Sequence, residues 1–285
     1  MAVALASDVW AERRRRVAEL RSRQGFARQL LDFYGVLLGV QEKAFVDAIA
    51  ASPTASGVIA FAAEVVAARV VDASVTAGPE GLRGQVLDRL QVEQPRRMID
   101  AWLREEKQPE VDRFLARASL GPVLEARPEG RAIAGGPRDA RHCPDCGGPP
   151  QLSFFSPATD DLASGPRRLL CARCGNAWAY ARMTCPGCGE NASAKLPIFS
   201  ERGIASGERG SVVRGMPGGT APDPRAIFPH MRIEACESCR RYLLSVDLVT
   251  EPRAVPIVDE LAALPLDLYA RERGFTKIVT NLMGF

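Results

Sequence analysis

All eight cysteines of this 285-residue chain occur in Cys-x-x-Cys pairs, and all of them follow residue 142. The pairs are Cys143/Cys146, Cys171/Cys174, Cys185/Cys188 and Cys236/Cys239. Two thiolates separated by two residues can bind one ion from a tight turn, and two such pairs complete a four-sulfur tetrahedral shell. The sequence therefore predicts two metal ions, each bound by four of these cysteines.

The order of the pairs along the chain favours two consecutive sites. The first would combine Cys143/Cys146 with Cys171/Cys174, and the second would combine Cys185/Cys188 with Cys236/Cys239. Each half of the cysteine region then resembles a zinc ribbon or a rubredoxin, small units whose folding depends on the metal. An interleaved arrangement, in which the first and third pairs share an ion, stays open because spacing along the chain does not fix pairing in space.

The residue that follows each pair predicts the form of its turn. Glycine follows three pairs, at Gly147, Gly175 and Gly189. Glycine readily takes the positive φ angle that lets backbone amides face a sulfur. The fourth pair is followed by Arg240 instead. The sequence therefore predicts a different type of turn at Cys236/Cys239.

The cysteines do not specify the ion. Zinc and iron both accept four thiolates in a tetrahedron, and an iron site could also carry an electron. A shell of four cysteines leaves no open coordination position, which argues against metal-assisted hydrolysis. Disulfides are disfavoured in a reducing compartment. His142 and His230 are predicted to be solvent-exposed loop residues rather than ligands.

The periodicity of the chain predicts a helical part before the cysteines. Apolar residues recur there at three- and four-residue steps, with breaks at Pro53 and at Gly78-Pro79. Helical periodicity returns after the cysteines, where Pro265 must kink or split the helix. The predicted division is a helical domain at residues 1–126, a linker at 127–141, two metal modules at 142–183 and 184–250, and a C-terminal helix and tail at 251–285.

Composition restricts the location and the partners of the chain. The net charge of +3 is weak support for nucleic-acid binding. The longest nearly apolar stretch, residues 57–71, is interrupted by Glu64 and Arg69 and is too short to span a bilayer. The start of the chain lacks the order of segments that a secretory signal has. We therefore expect a cytoplasmic protein without membrane insertion.

A longer residue pattern is more specific than the cysteine pairs alone. It runs Cys171-Ala-Arg-Cys174-Gly-Asn-Ala-Trp178-Ala-Tyr-Ala-Arg182-Met-Thr-Cys185-Pro-Gly-Cys188, after Cys143-Pro-Asp-Cys146-Gly-Gly-Pro149 and before Cys236-Glu-Ser-Cys239-Arg-Arg-Tyr242-Leu243. This pattern resembles the FdhE family of formate dehydrogenase accessory proteins. Residues 30–44 and 259–275 also resemble that family.

The resemblance implies a mainly α N-terminal domain followed by two small, β-rich rubredoxin-like modules. It also implies a cytoplasmic role in producing active formate dehydrogenase, through contact with the catalytic subunit of that enzyme. The functional residues that carry over are the eight cysteines. This chain departs from the family at Leu244, where lysine is frequent, and in residues 201–229, which are predicted to form a long mobile loop.

Three functions follow from these observations. The closed metal sites, the lack of an evident catalytic constellation and the resemblance favour a maturation factor over an enzyme. Electron transfer to or from the dehydrogenase is an alternative if the ions are iron. Nucleic-acid binding is a weaker alternative, because a ribbon could present arginines to phosphates. The arginines concerned are Arg167, Arg168, Arg173, Arg182, Arg240 and Arg241.

Overall fold

The computed structural model of the chain describes residues 2–134, 138–157, 165–202, 211–215 and 226–285. Helices fill the N-terminal half, and a mixed sheet with flanking helices fills the remainder. The predicted fold class, a helical part followed by β-rich cysteine modules and a C-terminal helix, is confirmed. The predicted domain boundaries stay a prediction. Among the described residues, no helix has the length and apolar content needed to cross a bilayer.

The N-terminal helices follow the apolar periodicity of the sequence. They are α1 (Ala2–Arg23), α2 (Arg28–Ala51), α3 (Val58–Phe61), α4 (Ala67–Ala77), α5 (Glu80–Leu90), α6 (Pro95–Leu103) and α7 (Glu110–Ala126). The predicted breaks are present, since α2 ends before Pro53 and α4 ends at Gly78. A π-helical turn at Ala62–Val66 joins α3 to α4 without interruption. The buried faces of these helices form one core.

Helix α7 lies at the centre of this core and contains a proline. It continues through Pro122 to Ala126. Proline cannot donate a backbone hydrogen bond to the carbonyl four residues earlier, which belongs to Ala118. The side-chain amide of Gln41 donates to that carbonyl instead, at 3.3 Å. Tertiary contact thus satisfies the group that Pro122 leaves without its helical partner.

The strands of both cysteine regions form one sheet. They are β1 (Pro150–Phe155), β2 (Arg167–Cys171), β3 (Ala177–Ala179), β4 (Ile198–Arg202), β5 (Ser211–Gly215), β6 (Met231–Cys236), β7 (Arg241–Asp247) and β8 (Thr276–Lys277). The order is β3-β2-β1-β7-β6-β4-β5, and β8 also pairs with β7. Parallel pairing of β1 with β7, with Ser153 opposite Ser245, joins the two regions.

Two segments predicted as irregular contain regular structure. Residues 201–229 were predicted to form a loop, but Glu201 and Arg202 belong to β4, which pairs with β5 at 211–215. The remaining residues 203–210 and 216–225 lie outside the described part of the chain. In the predicted linker, Pro128–Ala134 forms 3₁₀ turns, and residues 135–137 lie outside the described part.

The C-terminal residues return to the helical half of the protein. Pro265 splits the predicted helix into α8 (Pro256–Ala262) and α9 (Leu264–Glu272), as expected from its missing amide proton. Buried Asp259 of α8 binds the guanidinium of Arg16 in α1, with Nη2 at 2.5 Å from Oδ1. The N-terminal helix α1 and the C-terminal helix α8 are therefore joined by a buried ion pair.

His230 is part of the same buried contact, and the prediction that it is solvent-exposed is wrong. Its side chain lies at the start of β6 with only 5% of its surface exposed, and Nε2 is 2.8 Å from Oδ1 of Asp259. Burial alone raises the pKa of Asp259, but hydrogen bonds from His230 and Arg16 lower it below the usual value of a carboxyl group. His230 thus stabilises the junction and lies apart from the cysteine groups.

Candidate metal centres

Two groups of four cysteines come together in the structure. The first consists of Cys143, Cys146, Cys171 and Cys174, and the second of Cys185, Cys188, Cys236 and Cys239. Each group combines one turn that precedes strands with one turn inside a hairpin, β2–β3 for the first and β6–β7 for the second. The pairing follows the order of the sequence, so the interleaved alternative is wrong.

The distances between the sulfurs fit a tetrahedral metal site. In each group the Sγ atoms all lie within 4.8 Å of one another. Cys143 and Cys174 are 3.7 Å apart, and Cys188 and Cys236 are also 3.7 Å apart. A tetrahedron with zinc–sulfur bonds of about 2.3 Å has edges of about 3.8 Å, whereas a disulfide needs about 2.05 Å. Each group could therefore hold one metal ion, and the chemistry of the donors suits zinc or iron.

The first three turns that carry cysteines share one pattern of backbone hydrogen bonds. In the first turn the amide of Cys143 donates to the carbonyl of Gly148 and the amide of Gly147 donates to the carbonyl of Cys143, both at 2.9 Å. The second and third turns repeat this pair of bonds around Cys171 and Cys185. The amide two residues after the first cysteine also points at its sulfur, as in Gly187 N to Cys185 Sγ at 3.3 Å.

The residue after the fourth pair has a positive φ angle, as the glycines after the other three pairs do, although it is not a glycine. Gly147, Gly175 and Gly189 have φ angles of 64°, 67° and 84°, and Arg240 has a φ angle of 56°. A non-glycine residue pays a steric cost in this region. The Arg240 side chain offsets that cost, because Nη2 donates to the carbonyl of Arg273 at 2.6 Å and the guanidinium lies 4.1 Å from the centre of the Phe275 ring.

We expect the Arg240→Val variant to be less stable than the Arg240→Gly variant by about 1–2 kcal/mol of the free energy of unfolding. Both variants lose the contacts with Arg273 and Phe275, but only valine has a branched side chain at a positive φ angle. Urea unfolding of the two variants measures the difference. As a control, Arg241→Val in the adjacent strand should change stability by no more than about 0.5 kcal/mol. Equal stability of the two Arg240 variants would contradict the assigned backbone form.

The first group lies against the helical half of the protein. Arg173, inside its second turn, is buried, and its Nη2 donates to the carbonyl of Leu103 at the end of α6 at 2.8 Å. Nη2 is also 3.0 Å from Oε1 of Glu105. Arg131 holds Asp145 of the first turn at 2.8 Å. Arg173 was predicted as a possible phosphate ligand. It is buried instead, and its guanidinium contacts the protein's own carbonyl groups.

Positive charge surrounds the first group. Buried Arg117 of α7 donates from Nη1 to the carbonyl of Thr280 and from Nη2 to Oε1 of Gln151, both at 2.6 Å. Burial lowers the pKa of Arg117 to about 10, although the negative charge of Glu260 opposes that shift. Burial lowers the pKa of Arg131 as well, but the hydrogen bond to Asp145 raises it above its usual value. A divalent ion with four thiolates would have a net charge of −2, opposite in sign to these guanidinium groups.

The thiols of the first group affect each other's protonation strongly. Hydrogen bonds from Cys146, Cys171 and Cys174 lower the pKa of Cys143. Burial raises the pKa of Cys171 well above the usual value of a thiol. Four thiolates this close repel one another, and a cation at their centre removes that repulsion. The arrangement therefore suits a cation bound by four thiolates.

The remaining predicted residues have other roles. Half-buried His142 lies beside the first turn, and its Nδ1 is 2.7 Å from Oδ1 of Asp139. Arg167 is buried and donates to the carbonyls of Ala181 and Thr184 at 2.9 and 3.1 Å. A buried arginine that binds the protein's own backbone cannot reach a phosphate. Arg117 and Arg131 were missed in the sequence, where single arginines far from the cysteines carry no local signal.

Part of this chain is similar to a known protein family. A family model described as the C-terminal domain of FdhE matches residues 223–283. Residues 223–283 are therefore similar to the C-terminal domain of FdhE. The matched residues contain the fourth cysteine pair, β6 to β8, and helices α8 and α9. The resemblance predicted from the cysteine pattern is therefore confirmed.

Curated relatives and a solved structure agree with this assignment. A "Protein FdhE homolog" of Aquifex aeolicus is 31% identical over 144 residues, which are 50% of this chain and 42% of the relative. A homolog of the same name from Pseudomonas aeruginosa is 28% identical over 141 residues, 50% of this chain and 38% of the relative. The matches thus span less than half the length of these relatives.

The fold resemblance extends further than the sequence matches. The crystal structure of the FdhE protein from Pseudomonas aeruginosa aligns with a TM-score of 0.62 and 19% identity, covering 97% of this chain and 95% of that chain. At this identity the comparison shows the fold. The helical half and the sheet of the FdhE-like chain are therefore both present in a solved FdhE structure.

Proposed function

We propose that this chain is a cytoplasmic accessory protein, not an enzyme, that binds the catalytic subunit of formate dehydrogenase and is needed for the activity of that enzyme. The observation that carries the proposal is the FdhE C-terminal domain, which contributes one of the pairs in two groups of four cysteines. Formate dehydrogenase is proposed as the client because the cysteine pattern resembles that of the FdhE family.

The cysteines are proposed to hold one ion in each group, in the pairing that the sulfur distances support. When bound, each ion cross-links two turns of the chain and neutralises part of the thiolate charge. Four sulfur ligands leave no position for a substrate or a water. The residues around the first group, above all Arg117 and Arg173, fix the helical half against it. Such a scaffold can hold a client subunit without taking part in its chemistry.

The test is a deletion strain grown under conditions that require formate dehydrogenase. We expect loss of formate dehydrogenase activity, restoration by the native chain, and co-purification of the tagged chain with the catalytic subunit. The Lys43→Met variant, which replaces a lysine that is 65% exposed on the surface, serves as a control for expression. Full enzyme activity in the deletion strain would contradict the accessory role, and restored activity without co-purification would contradict direct binding.

A second candidate is electron transfer at the second cysteine group. The supporting observation is that Cys188 is exposed and Cys239 is partly exposed. A site near the surface can come close to a partner, and a short distance favours electron transfer. Iron in this group would give visible absorption that changes reversibly on reduction. Colourless protein containing two zinc ions would exclude this candidate and leave the accessory role intact.

A further inference from the structure

The two cysteine groups differ in how far solvent reaches them. All four cysteines of the first group are buried, with at most 3% of any of them exposed. In the second group Cys185 and Cys236 are buried, whereas Cys188 is exposed and Cys239 is partly exposed. The four turns share the same positive φ angle. The difference in exposure therefore arises from what packs on each group.

The first group can open only if the two halves of the protein separate. Its second turn is held to α6 by Arg173, and its first turn is held by the pair of Arg131 and Asp145. Gly121 of α7 lies within van der Waals distance of the backbone of Arg173, as a Cβ there would be 3.9 Å from the Arg173 carbonyl oxygen. Opening this group thus breaks part of the main core, and the free energy of that opening approaches that of global unfolding.

The second group can open locally. A Cβ added to Gly189, the residue after Cys188, would meet no atom within 4 Å. The turn that carries Cys188 is tied to the neighbouring turn by Ser238, whose hydroxyl donates to Glu190 at 2.6 Å. Ser238 is exposed and the Glu190 side chain is 18% exposed, so breaking this bond disturbs little of the core. Cys188 can therefore leave an ion while Cys185 and Cys236 remain in place.

The surface beside the second group suits an anionic sulfur ligand. A cleft next to Cys185 is lined by Arg182, Met183, Pro186 and Arg241, and also by Glu234, which forms an ion pair with Arg167. Arg241 is exposed at the start of β7, so its positive charge attracts a thiolate toward the group. Soft sulfur is also the class of ligand that competes best with cysteine for zinc or for other thiophilic ions.

We infer that the second group exchanges its ion with thiolate ligands from outside the chain, whereas the first group keeps its ion while the chain stays folded. The inference rests on the proposed metal sites. An incoming thiol loses its proton as its sulfur binds the ion, and Cys188 takes up a proton as its bond to the ion breaks. No electron is transferred. The second group could thus pass an ion to, or receive one from, a thiol-bearing partner.

The test uses the full chain loaded with two equivalents of zinc and mixed with glutathione and a coloured zinc indicator. One equivalent should leave at a rate that rises with glutathione concentration. The other should leave at least about a hundredfold more slowly, at a rate that does not depend on glutathione, because global opening limits it. Alkylation with N-ethylmaleimide during the fast phase, followed by mass spectrometry, should label Cys188 and Cys239 first.

A variant separates the two sites. The Cys188→Ser chain should retain one tightly bound zinc ion that leaves at the slow rate. If this variant fails to fold, the labelling order in the unaltered chain still decides. Two ions that leave at one rate, or labelling of Cys143 or Cys146 in the fast phase, would overturn this inference. Either result would leave the metal-site proposal intact. A folded chain that binds no zinc would overturn the metal-site proposal together with it.

Discussion

The Cys146→Ser variant is expected to lose at least about 5 kcal/mol of the free energy of unfolding, because it removes one ligand from a fully buried group. A structural ion at four thiolates contributes on the order of 10 kcal/mol, comparable to the total stability of a domain. The serine hydroxyl would also remain buried beside the sulfurs without a suitable partner. Urea unfolding in the presence of equimolar zinc, followed by tryptophan fluorescence, measures the loss.

The Cys188→Ser variant is the matched comparison, since it makes the same chemical change in the exposed turn. Its serine can be hydrated, so its loss should be smaller than that of Cys146→Ser by about 1–3 kcal/mol. The two variants therefore test burial rather than ligand number. Equal stability of Cys146→Ser and the native chain would mean that no ion at this position supports the fold.

Replacing Lys277 by methionine is expected to cost about 3–5 kcal/mol of the free energy of unfolding. The ammonium group of Lys277 in β8 is 2.8 Å from Oε1 of Glu260 and 3.0 Å from Oδ1 of Asp267, and all three side chains are at most 1% exposed. Burial raises the pKa of Glu260, while the charge of Lys277 lowers it. Methionine would leave the two buried carboxyl groups without the ammonium group that contacts both of them.

The sign of the pH dependence follows from the raised pKa of Glu260. A carboxyl group whose pKa is higher in the folded than in the unfolded state stabilises the fold at low pH, and this contribution is lost as pH rises through the folded value. The Lys277→Met variant should raise that pKa further and so lose more stability at neutral pH than at pH about 4. Thermal unfolding at the two pH values measures this difference.

Two variants serve as controls for Lys277. Lys43→Met removes a lysine that is 65% exposed and pairs with Asp47 on the surface, and it should cost no more than about 0.5 kcal/mol. The double variant Lys277→Met with Glu260→Gln should recover at least about 1 kcal/mol of the loss, since it removes one unpaired charge. A loss for Lys277→Met no larger than for Lys43→Met would contradict the buried ion pairs.

The sequence was most informative where local chemistry decides the structure. The Cys-x-x-Cys spacing and the following glycines predicted three of the turns, and sequential pairing agrees with the structure. The positive φ angle of Arg240 was not predicted, because glycine was taken as a requirement for that angle. Arg240 adopts that angle with support from Phe275, which is distant in sequence. Local sequence cannot reveal such compensation.

Residues that act across the fold were the hardest to predict. His230 was expected in solvent, yet it contacts Asp259, whose other partner is Arg16 in the first helix. Arg117 likewise links α7 to Gln151 in β1 and to the C-terminal backbone. The parallel pairing of β1 with β7 also joins segments far apart in the chain. Each of these contacts depends on packing that periodicity alone does not specify.

The most direct test of two four-cysteine metal sites is the metal content of anaerobically purified chain, measured by elemental analysis together with titration of accessible thiols. We predict two zinc or iron ions per chain and no freely titrating thiol in the first group until the chain is denatured. A folded, metal-free chain whose eight cysteines titrate as ordinary thiols, or are found as disulfides, would contradict the account.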